Sequence, residues 1–244
     1  MDPAALAALG AIAFAGALIF GLTGFGSALI TIPLASHLVS LPFALALFAL
    51  ADLVSAFGVG LENPRNAVRG EWTRLVPMIL AGTAVGVSAL VNLPRAVGML
   101  LLGVFVLSFA LYSLLRRPGS RVISAHWVWL AGFVGGVTST LFGAGGPPYA
   151  MYLSQRGLSK EQYRATLGLA TLTSISIRTL AFLATGILLD PKVWLYAVFV
   201  VPAGLAGIWA ASHLFRRMSR EVLMRAVAFM LLASGASLIL RSLG

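Results

Sequence analysis

The chain has 244 residues, 59% of them hydrophobic and only 10% charged, with a mean hydropathy of +0.97. A soluble domain carries about a quarter charged residues, so this chain cannot clothe itself for water and its solvent is lipid over most of its area. A soluble enzyme and a disordered chain are excluded. So is a nucleic-acid binder, because the 17 basic residues behind the net charge of +10 lie scattered between apolar runs and form no stripe.

No cysteine is present, which removes disulfides, thiolate metal sites and cysteine nucleophiles. The start, Met1-Asp2-Pro3 followed by apolar residues, lacks the basic beginning of a secretory signal, so the first segment is expected to stay in the mature protein.

In chain order the apolar runs are 4–22, 28–39, 43–60, 75–93 and 96–115, then 127–142, 149–153, 165–189, 193–214 and 222–240. Most approach the roughly 20 residues that a helix needs to cross the hydrocarbon layer. Runs 28–39 and 149–153 are too short, and each follows a glycine-rich break: Gly24-Phe25-Gly26-Ser27 in one half, Gly143-Ala144-Gly145-Gly146-Pro147-Pro148 in the other. Broken backbone is tolerated at membrane depth only when it is buried in protein or lines a wet cavity. Two hairpins follow, at 4–40 and 127–154.

Basic residues orient the protein, because cytoplasmic loops hold the excess of positive charge. Let each hairpin return to its starting side and each of the other six helices cross once. One face then receives Arg65, Arg69, Arg74, Arg116, Arg117, Arg121, Arg156, Lys160, Arg164, Arg216, Arg217 and Arg220, and the other only Arg95, Lys192 and Arg241. The richer face is the cytoplasmic one, which puts both termini outside the cytoplasmic (inner) membrane of a bacterium.

The two halves superpose. A shift of 119 residues sets the first glycine break on the second and, without a gap, residues 46–55 on 165–174, where Ala46, Leu50, Ala51, Leu53 and Ser55 meet identical residues. After a six-residue adjustment Pro77 and Gly82 fall on Pro202 and Gly207, and Arg116 on Arg241. Arg116 and Arg241 belong to opposite faces, so the copies are inverted. The fold expected is an all-α polytopic membrane protein of two inverted repeats, each a glycine-broken hairpin plus three transmembrane helices. The first repeat is 1–121 and the second 122–244, joined in one integrated membrane domain. Inverted repeats with interrupted helices are the construction of many secondary transporters, whose sites lie at the repeat interface near the bilayer midplane.

The stretch from Gly16 to Pro33, centred on Gly21-Leu22-Thr23-Gly24-Phe25-Gly26, and that from Gly132 to Tyr149, centred on Leu141-Phe142-Gly143-Ala144-Gly145-Gly146-Pro147, resemble the paired glycine motifs of the sulfite exporter TauE/SafE family of membrane permeases. The resemblance runs over nearly the whole chain in length, segment pattern and duplication. It implies movement of sulfite, thiosulfate, sulfonates such as sulfoacetate, or related small anions. The sequence departs from the family pattern at Ser27, where glycine is frequent, and at the Pro147-Pro148 pair.

The residues themselves supply an anion site. A half-helix beginning after each break would aim free N–H groups and the positive end of its dipole at the tip. The candidates are Thr23, Gly24, Phe25, Gly26 and Ser27 in the first hairpin, and Thr140, Gly143, Ala144, Gly145 and Gly146 in the second. Thr31, Thr138 and Ser139 are further hydroxyl donors. The competing reading of these glycines is tight helix packing, as in the Gly82–Gly86 stretch.

Arg178 lies about 14 residues, or roughly 21 Å, into the helix starting near Arg164, too deep to snorkel easily. Thr171 and Ser174 share its face, giving a polar stripe with one fixed positive charge that either holds a sulfur oxyanion or serves a structural ion pair. Asp52 is the acidic residue amid an apolar run, aligned with Thr171. It either pairs with Arg178 or takes up a proton and couples transport. His37, His126 and His213 sit near run ends, no metal cluster is visible, and no cofactor is implied.

The function expected is a secondary transporter of small anions, with the lipid bilayer, the substrate anion and protons as the partners considered; a passive anion channel on the same scaffold is the alternative. An intramembrane enzyme would need a nucleophile and base or a metal motif, and none is present.

Overall fold

The structure is a computed structural model and describes residues 3–23, 27–115, 122–214, 232, 235–237 and 239–240. In chain order the helices are α1 (Pro3–Thr23), α2 (Ser27–Ala35), α3 (Leu41–Gly60), α4 (Arg69–Asn92), α5 (Arg95–Leu115), α6 (Trp127–Phe142), α7 (Gly146–Leu153), α8 (Lys160–Ala184) and α9 (Pro191–Leu214). Single 3-10 turns occupy Pro64–Asn66 and Ile187–Leu189, and no strand occurs among the described residues. Five of these helices are long and apolar enough to cross a bilayer, namely α1, α3, α4, α8 and α9, while α5 and α6 contain shorter apolar stretches. This is a multi-pass membrane protein. Most of the expected helix at 222–240 lies outside the described residues; of it, 235–237 and 239–240 are helical, and Gly235 abuts Leu107 of α5.

Local chemistry sets the boundaries. Ser40 precedes α3 with Pro42 at its first turn, where a missing N–H costs nothing. A capping box opens α8: the Ser159 hydroxyl accepts from the Gln162 N–H while the Gln162 side chain accepts from the Ser159 N–H. The apolar run 165–189, expected to form one helix, does not: α8 stops at Ala184, and Gly186 takes a φ of 82° that turns the chain. At the other end α4 begins at Arg69, six residues before its apolar run, since Glu71 and Trp72 find partners within the protein.

Packing is interleaved. α1 lies along α9 and α6 along α4, so each hairpin rests on a helix of the opposite half, while α3 and α8 pack on one another. The two long contacts use the same device. A Cβ on Gly82 would collide with the Phe133 carbonyl oxygen, and one on Gly207 with the Phe14 carbonyl oxygen. Gly82 and Gly207 are equivalent positions of the sequence alignment, and so are Phe14 and Phe133. Close backbone approach of this kind gives dispersion contact where lipid supplies no hydrophobic drive between helices.

Candidate functional site

The second hairpin turns at Gly143. There the chain closes α6 with a left-handed residue at φ 71°, and the Gly143 and Ala144 N–H groups donate back to the Ser139 and Thr138 carbonyls at 2.9 and 3.1 Å. The Thr138 hydroxyl donates to the Ala144 carbonyl at 3.1 Å and locks the elbow. A Cβ on Gly143 would lie 2.7 Å from the Ala28 methyl in the first turn of α2 and 3.0 Å from Arg178 Nη1. The elbow of one hairpin therefore touches the short helix of the other.

Arg178 stands beneath this contact, 0% exposed. Its Nη2 donates to Asp52 Oδ2 at 3.1 Å and its Nη1 to the Ser139 carbonyl at 3.0 Å. The other carboxylate oxygen of Asp52 accepts from the Ser27 hydroxyl at 2.8 Å. One guanidinium thus ties α3, α6 and, through Asp52, the start of α2. A buried pair of this kind is costly to break from one side, because the survivor is left as a lone charge. The Tyr149 hydroxyl on α7 donates to Ser174 Oγ at 3.0 Å.

Between the elbow at Gly143 and the start of α2 lies a cavity of about 10 Å³, room for roughly one water. Its walls are Phe20, Ser27, Asp52, Ser139, Gly143, Ala144, Gly145, Gly146, Thr171, Ser174 and Ile175. Under the 119-residue shift three pairs of these walls are equivalent positions: Phe20 with Ser139, Ser27 with Gly146, and Asp52 with Thr171. Buried polar atoms are normally paired. Here Oγ1 of Thr171, one of the cavity's walls, and Nε of Arg178, which is not, are buried without a partner.

The structure brings together most of the residues singled out from the sequence, with three corrections. Thr140 does not reach the cavity; its hydroxyl donates to the Gly136 carbonyl at 2.9 Å and its Cβ packs against Gly86 of α4. Arg178 is not a wall of the cavity but a strut behind it. The start of α7 offers fewer amides than a helix ordinarily would, because Pro147 and Pro148 have no N–H. Gly24, Phe25 and Gly26 lie outside the described residues, as does the side chain of Thr23. His37, His126 and His213 are exposed, and among the described residues no group of acidic, histidine or cysteine side chains could hold a metal ion.

Sequence reasoning missed Phe20 and Ile175, which line the cavity but carry no chemical signature. It also missed a second charged cluster, in which Glu71 at the start of α4 accepts from the Tyr152 hydroxyl and, at 2.9 Å, from Arg156 Nε.

The protein-family comparison matches the sulfite exporter TauE/SafE model over residues 8–238. A curated relative, the probable sulfite/organosulfonate exporter TauE of Cupriavidus necator, is 29% identical over 246 residues that cover 96% of this chain and 94% of the relative. No solved structure matches. Interrupted helices, paired glycine motifs and a match over nearly the full length lead to one conclusion: this chain belongs to the sulfite exporter TauE/SafE family, a family of membrane transport proteins rather than enzymes.

Proposed function

We propose that the protein is a secondary transporter that exports small sulfur-containing anions, among them sulfite, thiosulfate and organosulfonates such as sulfoacetate. The anion is held between the two hairpin tips near the bilayer midplane. The observation that carries the reading is the cavity between the Gly143 elbow and the start of α2, with the unpartnered Thr171 hydroxyl in its wall and the unpartnered Arg178 Nε behind it. Unsatisfied buried donors beside a fixed cation are a costly arrangement that an oxyanion would relieve. The kind of anion is supported by the relative named as a sulfite/organosulfonate exporter.

The two copies are read as inverted repeats, with both termini outside the inner membrane. The equivalent contacts Gly82 on Phe133 and Gly207 on Phe14 support an exchange-symmetric duplication, and the bias of basic residues supports its inversion. Rocking of one copy against the other then alternates access to the cavity. Asp52 couples the cycle to protons: while charged it neutralises Arg178, and once protonated it leaves an uncompensated positive charge behind the cavity wall, which favours an anion in the cavity. A cavity with room for about one water favours such an alternating cycle over a passive open channel.

Flux into proteoliposomes with sulfite, thiosulfate, sulfoacetate, sulfate and chloride, at two pH values, tests the reading. Transport of the sulfur anions, driven by a proton gradient and slowed by opposing substrate, is the expected result. A folded preparation that binds and moves none of them overturns it, and flux indifferent to pH and to counter-substrate would return the passive channel.

A further inference from the structure

A cavity that holds about one water is too small for any sulfur oxyanion, so something must move before substrate enters. The surroundings of α7 single it out. On one side its first residue, Gly146, is a wall of the cavity. On the other side Pro147, Pro148 and Met151 border an apolar cleft of about 510 Å³ between α7, α6 and α5. The cleft reaches the outer surface of the bundle, where Trp127 and Leu130 in its wall are about half exposed. Close-packed interiors rarely leave space on that scale.

The far end of α7 is tied down. Over its eight residues, about 12 Å, the helix runs from the cavity to Tyr152, whose hydroxyl donates to Glu71. Just beyond, Arg156 donates to the same carboxylate through Nε at 2.9 Å and to the Ile123 carbonyl through Nη1 at 2.5 Å. Glu71 is buried, and the Arg156 side chain is 18% exposed. The opposite half has no such charges at the matching places: Tyr196 stands at the position of Glu71, by the offset that sets Pro77 on Pro202, and His37 at that of Arg156.

We infer that Glu71, Tyr152 and Arg156 form a latch on the outer end of α7, and that α7 swings into the apolar cleft when the latch opens, widening the anion cavity toward the cytoplasm. Glu71 is on this account a positioning residue: it touches no substrate, and it sets how often the half-helix is free. The cleft supplies the volume into which Pro148 and Met151 move. Lipid chains that reach it are fluid and displaceable, whereas a ring anchored on α6 is not. The inference rests on the transport reading for its purpose, but its test does not need flux.

The chain has no cysteine, so a single Ala144→Cys substitution in the cavity wall reports opening by its rate of reaction with a charged, membrane-impermeant maleimide in inside-out vesicles. Glu71→Gln should speed labelling about tenfold and Tyr152→Phe about threefold, since each loosens a charge-assisted contact. Ala131→Phe or Ser108→Phe, which plug the cleft, should slow both labelling and sulfite flux at least about fivefold and hold labelling low even with Glu71→Gln. If Glu71→Gln does not give a folded protein by gel filtration, Tyr152→Phe and Arg156→Lys carry the test. Unchanged labelling in the latch variants overturns the latch, and parental labelling in both plugged variants overturns the swing. Loss of flux for every anion, with labelling as expected, would refute the transport reading and leave the latch standing.

Discussion

The two hairpins align in sequence yet sit in different surroundings. In the first, eight of the nine residues of α2 are buried, and its leading serine is bonded to the Asp52 carboxylate. In the second, α7 is packed on the face carrying Tyr149, Ala150 and Leu153 and borders the open cleft on the face carrying Pro148 and Met151. One copy is anchored by a charge at its tip; the other is held by a charge at its tail. The two frames are similar and differ at a few polar positions: Ser27 and Asp52 hold the first, Glu71 and Arg156 the second.

The sharpest way to break this contrast is to cut the strut that both hairpins share. Arg178→Leu strands Asp52 in the interior and should cost about 3–5 kcal/mol, read as a fall in the thermal unfolding midpoint, with most of the loss recovered by adding Asp52→Asn. A parental midpoint in Arg178→Leu would mean that the pair bears no load. A middle-sized test compares the tips. Ser27→Ala removes a hydrogen bond to a charged acceptor and should cost about 1.5–3 kcal/mol, whereas Tyr149→Phe removes a neutral one and should cost about 0.5–1.5 kcal/mol. Denaturation of the two variants side by side reads the difference, and the reverse order would put the firmer anchor on α7.

No loss of stability is expected at Thr171, whose buried hydroxyl has no partner to lose. Thr171→Val removes that unsatisfied group and should raise the unfolding midpoint, by about 1 kcal/mol, while weakening sulfite binding, measured calorimetrically, about tenfold. Thr140→Val is the control: its hydroxyl bonds within α6, so affinity should stay at the parental value. Equal affinity in the two variants would remove the cavity wall from the site.

Much of the fold was legible because lipid imposes a simple rule. Among the described residues the apolar runs became helices, and the second glycine break became an elbow, since only glycine adopts the φ of 71° at Gly143 without strain. The pairing of Asp52 with Arg178 was equally readable, because two lone charges deep in apolar runs have few alternatives. Side-chain direction was harder. Thr140 and Ser139 are neighbours in sequence, and only the angle between α6 and α4 decides that one faces Gly86 while the other faces the cavity. The acceptor opposite Arg178 is a main-chain carbonyl, which no residue name discloses. The latch stayed hidden for a third reason: its members are 81 and 85 residues apart, and each lies near an interface where charge is ordinary. The early end of α8 was masked because Ile187 and Leu188 continue the apolar run past the turn at Gly186.

The strut also sets an order of events during biosynthesis. Asp52 and Arg178 are separated by 126 residues, and a ribosome adding roughly 5–20 residues per second needs on the order of 6–25 seconds to bridge that interval. Throughout it the carboxyl group must either wait outside the hydrocarbon or enter it carrying a proton, and only the arrival of α8 gives it a lasting counter-charge. The pairing therefore waits on the last third of the chain, and a chain interrupted between the two residues would leave the Asp52 carboxyl group without its counter-charge.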